Sequence, residues 1–247
     1  MLFKPLLWPT LTTLPLLALA LGLGIWQVQR LEWKEALIAR RVAGESAPAV
    51  FIDDLLAEAE SLADIEYRAA KALGTFDHEH ESRLYAIGEN GAPGYRILTP
   101  LWRDDGDPLF VDRGFVPLEL AGRATRADGL VAGDVAVHGV VRLSRERGLF
   151  QPDNQPADNL WFYPDLDAMA DAAVQGRMLP VYLQADATPV PGGWPLGALP
   201  DVSLPNNHLS YAITWFGIAA ALVTIYFIHH AQRGRLVLPI VRQQDGR

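Results

Sequence analysis

Residues 205–232, PNNHLSYAITWFGIAAALVTIYFIHHAQ, hold no Asp, Glu, Lys or Arg, and the uncharged run already begins at Val202. A second uncharged run extends from Pro5 to Gln29. Each is longer than the ~20 residues that carry a helix across a bilayer core. Residues 30–205 between them carry most of the acids and bases and are numerous enough for one independent core. The 247-residue chain therefore divides into a transmembrane helix over 6–29, an extramembrane domain over 30–205, a second transmembrane helix over 206–230 and a tail over 231–247.

The first span is expected to stay as an anchor. Leu6 to Ile25 exceeds the ~7–15 apolar residues of a cleaved signal, and GIWQVQRLEWKEALIARR then continues in helical spacing without an extended cleavage site. With few residues before it in this sequence, a bacterial plasma membrane is expected rather than an organelle reached by an Arg-rich transit peptide. Arg233, Arg235, Arg242 and Arg247 follow the second span, whereas the residues before it lack Lys and Arg. That asymmetry places its C-terminal side in the cytoplasm, hence both termini inside and the domain in the periplasm. The flanks of the first span point the other way, with Lys4 before it and Arg30, Lys34, Arg40 and Arg41 after it. The second span has the cleaner asymmetry, and a long intervening loop weakens the charge rule.

A net charge of −8, mostly on the domain, argues against nucleic acid as a partner. The absence of cysteine excludes disulfides, thiolate metal ligands and covalent c-type haem attachment. A metal or cofactor would have to be held by His, carboxylate, Met or Tyr.

Within the domain an acidic helix is expected around 53–63 and a strand from about 66 to 76. SRLYAIG and GYRILTPLW alternate in strand fashion around the turn ENGAPG, followed by the strands PLFVDRGFVPL, DVAVHGVVRL and MLPVYLQA. DLDAMADAA reads as a short helix, and TPVPGGWPLGALPDVSLP as a connector to the second span. Five or six strands with two small helices make the fold α+β, with a mainly antiparallel, β-rich domain that curls toward a barrel.

His78 and His80 in TFDHEHES would share one face if they lay on a strand, a spacing open to a divalent metal. A solvated turn is the other reading. Asp77, Asp112 and Asp165 have no diagnostic pairing, and nucleophile-elbow, Walker and zincin patterns are missing from the sequence. Arg113 in VDRGFVP is expected to pair with an acid such as Asp112, and Gly114 beside it to mark a bulge or close backbone approach.

His208 stands out by position. Pro205 with Asn206 or Asn207 signals a helix start, which puts His208 in the first turn of the span. The positive end of the helix dipole disfavours an imidazolium there, so a neutral, ligand-competent ring is expected. His208, Tyr211 with Ala212, Trp215 and Ala219 fall on one helical face, where small residues would let a flat ring approach the backbone. On the first helix, Trp26, Arg30 and Trp33 recur at helical spacing near the membrane surface, consistent with an anchor or with cations awaiting an acidic ligand group.

The segments GIWQVQRLEWKEALI, GTFDHEHE, PGYRILTPL, VDRGFVP, NLWFYPDLDAMA and NNHLSYAITWF occur in this order from about residue 20 to 230. Together they resemble the Surfeit locus protein 1 family of cytochrome c oxidase assembly factors. The resemblance implies a non-enzymatic, inner-membrane protein that binds haem a non-covalently and transiently, working with haem a synthase and oxidase subunit I. It implies His208 as axial ligand of the haem iron, with Tyr211 and Trp215 completing the pattern, and makes Gly74, Phe76, Asp77 and Glu81 structural. Arg30, or Lys34, is the expected propionate partner. A cofactor-free scaffold for oxidase subunits and a metal-dependent enzyme built on His78 and His80 are the alternatives.

Overall fold

The computed structural model describes residues 4–88, 91–104, 106–173, 176–197 and 206–235. Pro205, part of the Pro/Gly-rich connector and most of the tail, with Arg242 and Arg247, lie outside these residues. The chain forms two units: residues 4–38 with 206–235, and residues 39–197.

The first unit is a pair of helices, each long and apolar enough to cross a membrane. Helix α1 runs over Leu7–Glu45, so the first span continues into a juxtamembrane helix as its spacing foretold. The C-terminal helix, α5, runs over His208–Gln232. Shielded positions recur on α1 at Thr10, Thr13, Leu17, Ala20, Gly24 and Gln27, and on α5 at His208, Ala212, Trp215, Ala219, Leu222 and Tyr226. Alternating steps of three and four residues are the 3.5-residue period of a left-handed helix pair. The pairing is antiparallel. Gln27 meets His208, a Cβ on Gly24 would touch the Phe216 ring, and Thr10 Oγ1 lies 2.7 Å from the Tyr226 hydroxyl. Small residues at the seam let the backbones approach where lipid offers no hydrophobic drive.

The second unit is built on one eight-stranded sheet in the order β1-β2-β6-β8-β5-β4-β3-β7. Its strands are β1 (Val50–Phe51), β2 (Ala69–Phe76), β3 (Ser82–Ile87), β4 (Pro93–Arg103), β5 (Gly106–Pro117), β6 (Asp134–Leu143), β7 (Leu160–Trp161) and β8 (Val181–Ala185). An additional pairing of Thr75 and Phe76 with Trp102 and Leu101 joins β2 to β4, closing β2, β6, β8, β5 and β4 into a ring. The expected curl toward a barrel is therefore realised. Most pairings are antiparallel, but β1–β2, β3–β7 and β5–β8 are parallel.

Alternation sorts the side chains to two cores. Ala70, Ala72, Leu101, Leu109, Val111, Val141 and Leu183 fill one, capped by Ile52 and Leu55 of helix α2 (Ile52–Glu58). Leu98, Phe110 and Tyr182 point the other way, against Trp161 and against Leu166 and Met169 of helix α4 (Leu166–Ala173).

Three expectations are corrected. The acidic helix is two pieces, α2 and α3 (Leu62–Ile65), because Ser61 caps a new start with Asp64 in a reciprocal capping box. Strand β2 begins at Ala69 rather than near 66, because Tyr67 turns the backbone at φ +69°. The strand count rises to eight through β1 and β7, each two residues long.

Candidate functional site

The membrane-level candidates are organised by the N-terminus of α5. Asn207 occupies the cap position without a side-chain cap bond, and helical geometry begins at His208. His208 Nδ1–H donates to Gln27 Oε1 at 2.7 Å. An amide oxygen only accepts, so Nδ1 carries a proton, and in the neutral imidazole Nε2 then holds the lone pair. Nε2 has no hydrogen-bond partner among the described residues.

His230, the buried histidine of α5, behaves differently. His230 Nδ1 faces Tyr226 O at 2.8 Å, while its Nε2 accepts from the Leu6 backbone N–H at 3.0 Å. Both of its nitrogens are committed within the pair. His208 alone of these two offers a ring nitrogen, and its orientation is fixed by an amide oxygen standing where metal-binding histidines commonly have a carboxylate or backbone carbonyl.

Around His208 the expected residues separate. Trp215 is half-buried on the seam, whereas Tyr211 is 54% exposed on the flank. Ala212 and Ala219 are buried at 2% and 4% exposure, so the alanine face that a flat ring was expected to approach is already covered. Of the pattern residues on α5, Tyr211 is the exposed one. Arg30 lies one turn beyond Gln27 on α1, exposed, with its guanidinium 3.9 Å from the centre of the Trp33 ring. Gln27, the partner of His208, was not singled out by sequence reasoning; its only signal is its place in the seam register.

In the domain, the TFDHEHE motif forms a short 3-10 turn over His78–His80 rather than a strand. Asp77 organises it, accepting from Glu79 N at 3.2 Å and facing His80 Nδ1 at 2.7 Å. His78 Nε2–H donates to Val131 O at 2.8 Å, so its Nδ1 receives Arg113 Nη1 at 3.3 Å. The two histidines do not share a face, and His78 has no lone pair to spare for a metal. Among the described residues no group of three His, Asp or Glu is arranged to hold one.

The expected pairing of Arg113 with Asp112 is not made. The register shift between Arg96 and Leu98 puts Arg113 and Gly114 in a bulge of β5, which turns neighbouring side chains apart. Asp112 pairs with Arg96, while Arg113 donates to Gly129 O and lies 4.7 Å over Phe76. Gly114 itself sits at φ +122°, and a Cβ there would come within 1.7 Å of Leu196 O, as its close-approach reading required. Glu81 pairs with Arg126, both almost fully buried. Burial raises the Glu81 carboxyl and Arg126 opposes it; burial and the Arg126 charge push Arg113 down to about 10, still charged at neutral pH. These groups hold the domain's end together. A Cβ on Gly74 would meet Trp102 O at 2.1 Å, at the ring closure.

A protein-family model described as the SURF1 family matches residues 14–220. Surfeit locus protein 1 of Rattus norvegicus is 37% identical over 236 residues, covering 87% of this chain and 74% of the relative. The Homo sapiens protein of that name is 37% identical over 228 residues, covering 84% and 73%. A SURF1-like protein of Monosiga brevicollis is 37% identical over 218 residues, covering 83% and 81%.

Proposed function

The chain belongs to the SURF1 family, and on that premise we propose that it is a cytochrome c oxidase assembly factor that binds haem a and aids its delivery to, or insertion into, subunit I. The assembly role comes with the family. The haem step rests on one observation: the Gln27–His208 bond, which holds the imidazole in the tautomer whose Nε2 is open.

The residues present fit the group. Haem iron takes a neutral imidazole as axial ligand, and His208 supplies one at the first turn of a membrane-level helix. Tyr211 and Trp26 are exposed surface, and Arg30 is a cation for propionates one turn from Gln27. A ligand approaching along the Tyr211 flank leaves the helix seam undisturbed, which suits a carrier that must release its cargo. Subunit I and haem a synthase are the partners of this scheme, and the protein itself carries out no catalysis. With the Arg-rich end of α5 in the cytoplasm, the domain lies in the periplasm of a bacterial inner membrane.

The test is the absorption spectrum of protein purified from cells that make haem a. Co-purifying haem a supports the reading. A haem-free preparation that still captures subunit I replaces it with a cofactor-free scaffold.

A further inference from the structure

The outward face of the sheet carries an unusual row of charge. Arg142 on β6 stands opposite Tyr182 on β8, Gln184 of β8 opposite Asp112 on β5, and Arg96 lies next on β4. The excursion over 144–164 arches above this row and brings Arg145, Phe162 and Tyr163 to it. Together they line an open cleft of about 360 Å³, within the size range of small-molecule sites.

Its charges do not balance internally. Three guanidinium groups face two acids, Asp112 and Glu146. Asp112 is fully engaged, taking Arg96 on one oxygen and the Gly114 N–H, at 3.1 Å, on the other. Yet Arg96 Nη2 and Arg142 Nε have no hydrogen-bond partner among the described residues, the Arg142 guanidinium being engaged only by the Tyr67 ring, 4.7 Å from its centre. Orphaned charged donors are costly, and an oxyanion is the kind of group that would satisfy them. Burial, and next the Asp112 charge, raise the Tyr182 hydroxyl; it stays a neutral donor. The Tyr85 and Phe162 rings, 6.0 Å apart, provide an apolar wall.

We propose that this cleft binds a small anion bearing a carboxylate or phosphate group, held by Arg96, Arg142 and Arg145 with the Tyr182 hydroxyl as a further donor. Guanidinium forks match both oxyanions bidentately. The site lies within the sheet domain and does not depend on haem binding by His208.

Calorimetric titration of the full-length, detergent-solubilised protein at low ionic strength tests this, with inorganic phosphate in one arm and succinate in the other. Saturable binding in at least one arm is expected, and the stronger arm identifies the oxyanion. Arg142→Gln combined with Arg145→Gln weakens that binding by about tenfold or more. Arg145→Glu, at an exposed side chain where folding is unaffected, does the same. Arg147→Gln, whose guanidinium instead pairs with Asp153 at 2.7 Å, leaves it unchanged. No saturable binding in either arm, or equal binding by Arg145→Glu, overturns the proposal. The titration uses haem-free protein, so its outcome is separate from the fate of the haem reading.

Discussion

His208 and Gln27, 181 positions apart in the chain, share one hydrogen bond of 2.7 Å across an antiparallel helix pair. That bond sets which imidazole nitrogen faces a ligand. Removing such an orienting partner generally weakens metal binding ~10–100-fold. Gln27→Leu is therefore expected to lower haem affinity by about that factor while leaving the helix pair intact, and Gln27→Glu, which keeps an acceptor, to lower it less. Haem titration of the three proteins distinguishes them. Equal affinity in all three removes Gln27 from the site.

Gly114 makes a second sharp case. Its φ of +122° and the 1.7 Å approach of Leu196 O leave no room for a methyl group. Gly114→Ala should cost about 3 kcal/mol or more, combining backbone strain with displacement of the 196 segment. Gly133 has φ +80° but open space around it, so Gly133→Ala should cost only ~1–2 kcal/mol. Thermal unfolding of the two variants should rank them in that order.

The Glu81–Arg126 pair, at 6% and 1% side-chain exposure, has been taken out of water almost entirely. Truncating one partner strands the other, at about 3–5 kcal/mol. Arg126→Met is expected to show that loss, and Glu81→Leu added to it should recover part of it, because an apolar pair strands no charge. An additive double-mutant cycle would rule out direct coupling between them.

His78 carries a pH dependence. Burial first, then the Arg113 and Arg126 charges, lower its folded-state value below the ordinary 6.5, with Val131 and Asp77 opposing. Below 6.5 the unfolded chain takes up a proton that the folded ring resists. The contribution of His78 to stability is thus fully present above 6.5 and is lost as pH falls through the lowered folded value. Denaturant midpoints measured from pH 7 downward should drop more steeply for the wild type than for His78→Asn. Parallel curves would show that His78 does not titrate differently on folding.

Much of this architecture is legible in the chain. The alternation of DVAVHGVVRL matches β6 at Asp134–Leu143 to the residue, and the two uncharged runs correspond to α1 and α5. Strands β1 and β7 are invisible because two residues cannot alternate. Arg113 meets Gly129 rather than Asp112 because a bulge, which has no side-chain signature beyond Gly114, reverses which neighbour it faces. The position of His208 could be read from helix-start residues. Its partner could not, because Gln27 and His208 meet only once a 3.5-residue seam brings distant helices into register. Arg126, within RATRADG, likewise carries no local mark of its buried ion pair.

The central claim is that His208 Nε2 is the haem ligand. Pyridine haemochrome analysis of wild type and His208→Ala, purified in parallel from cells making haem a, measures haem bound per chain. The account predicts haem a in the wild type and, in the variant, loss of most of it with an altered spectrum of any remainder. Unchanged stoichiometry and spectrum in His208→Ala would contradict it.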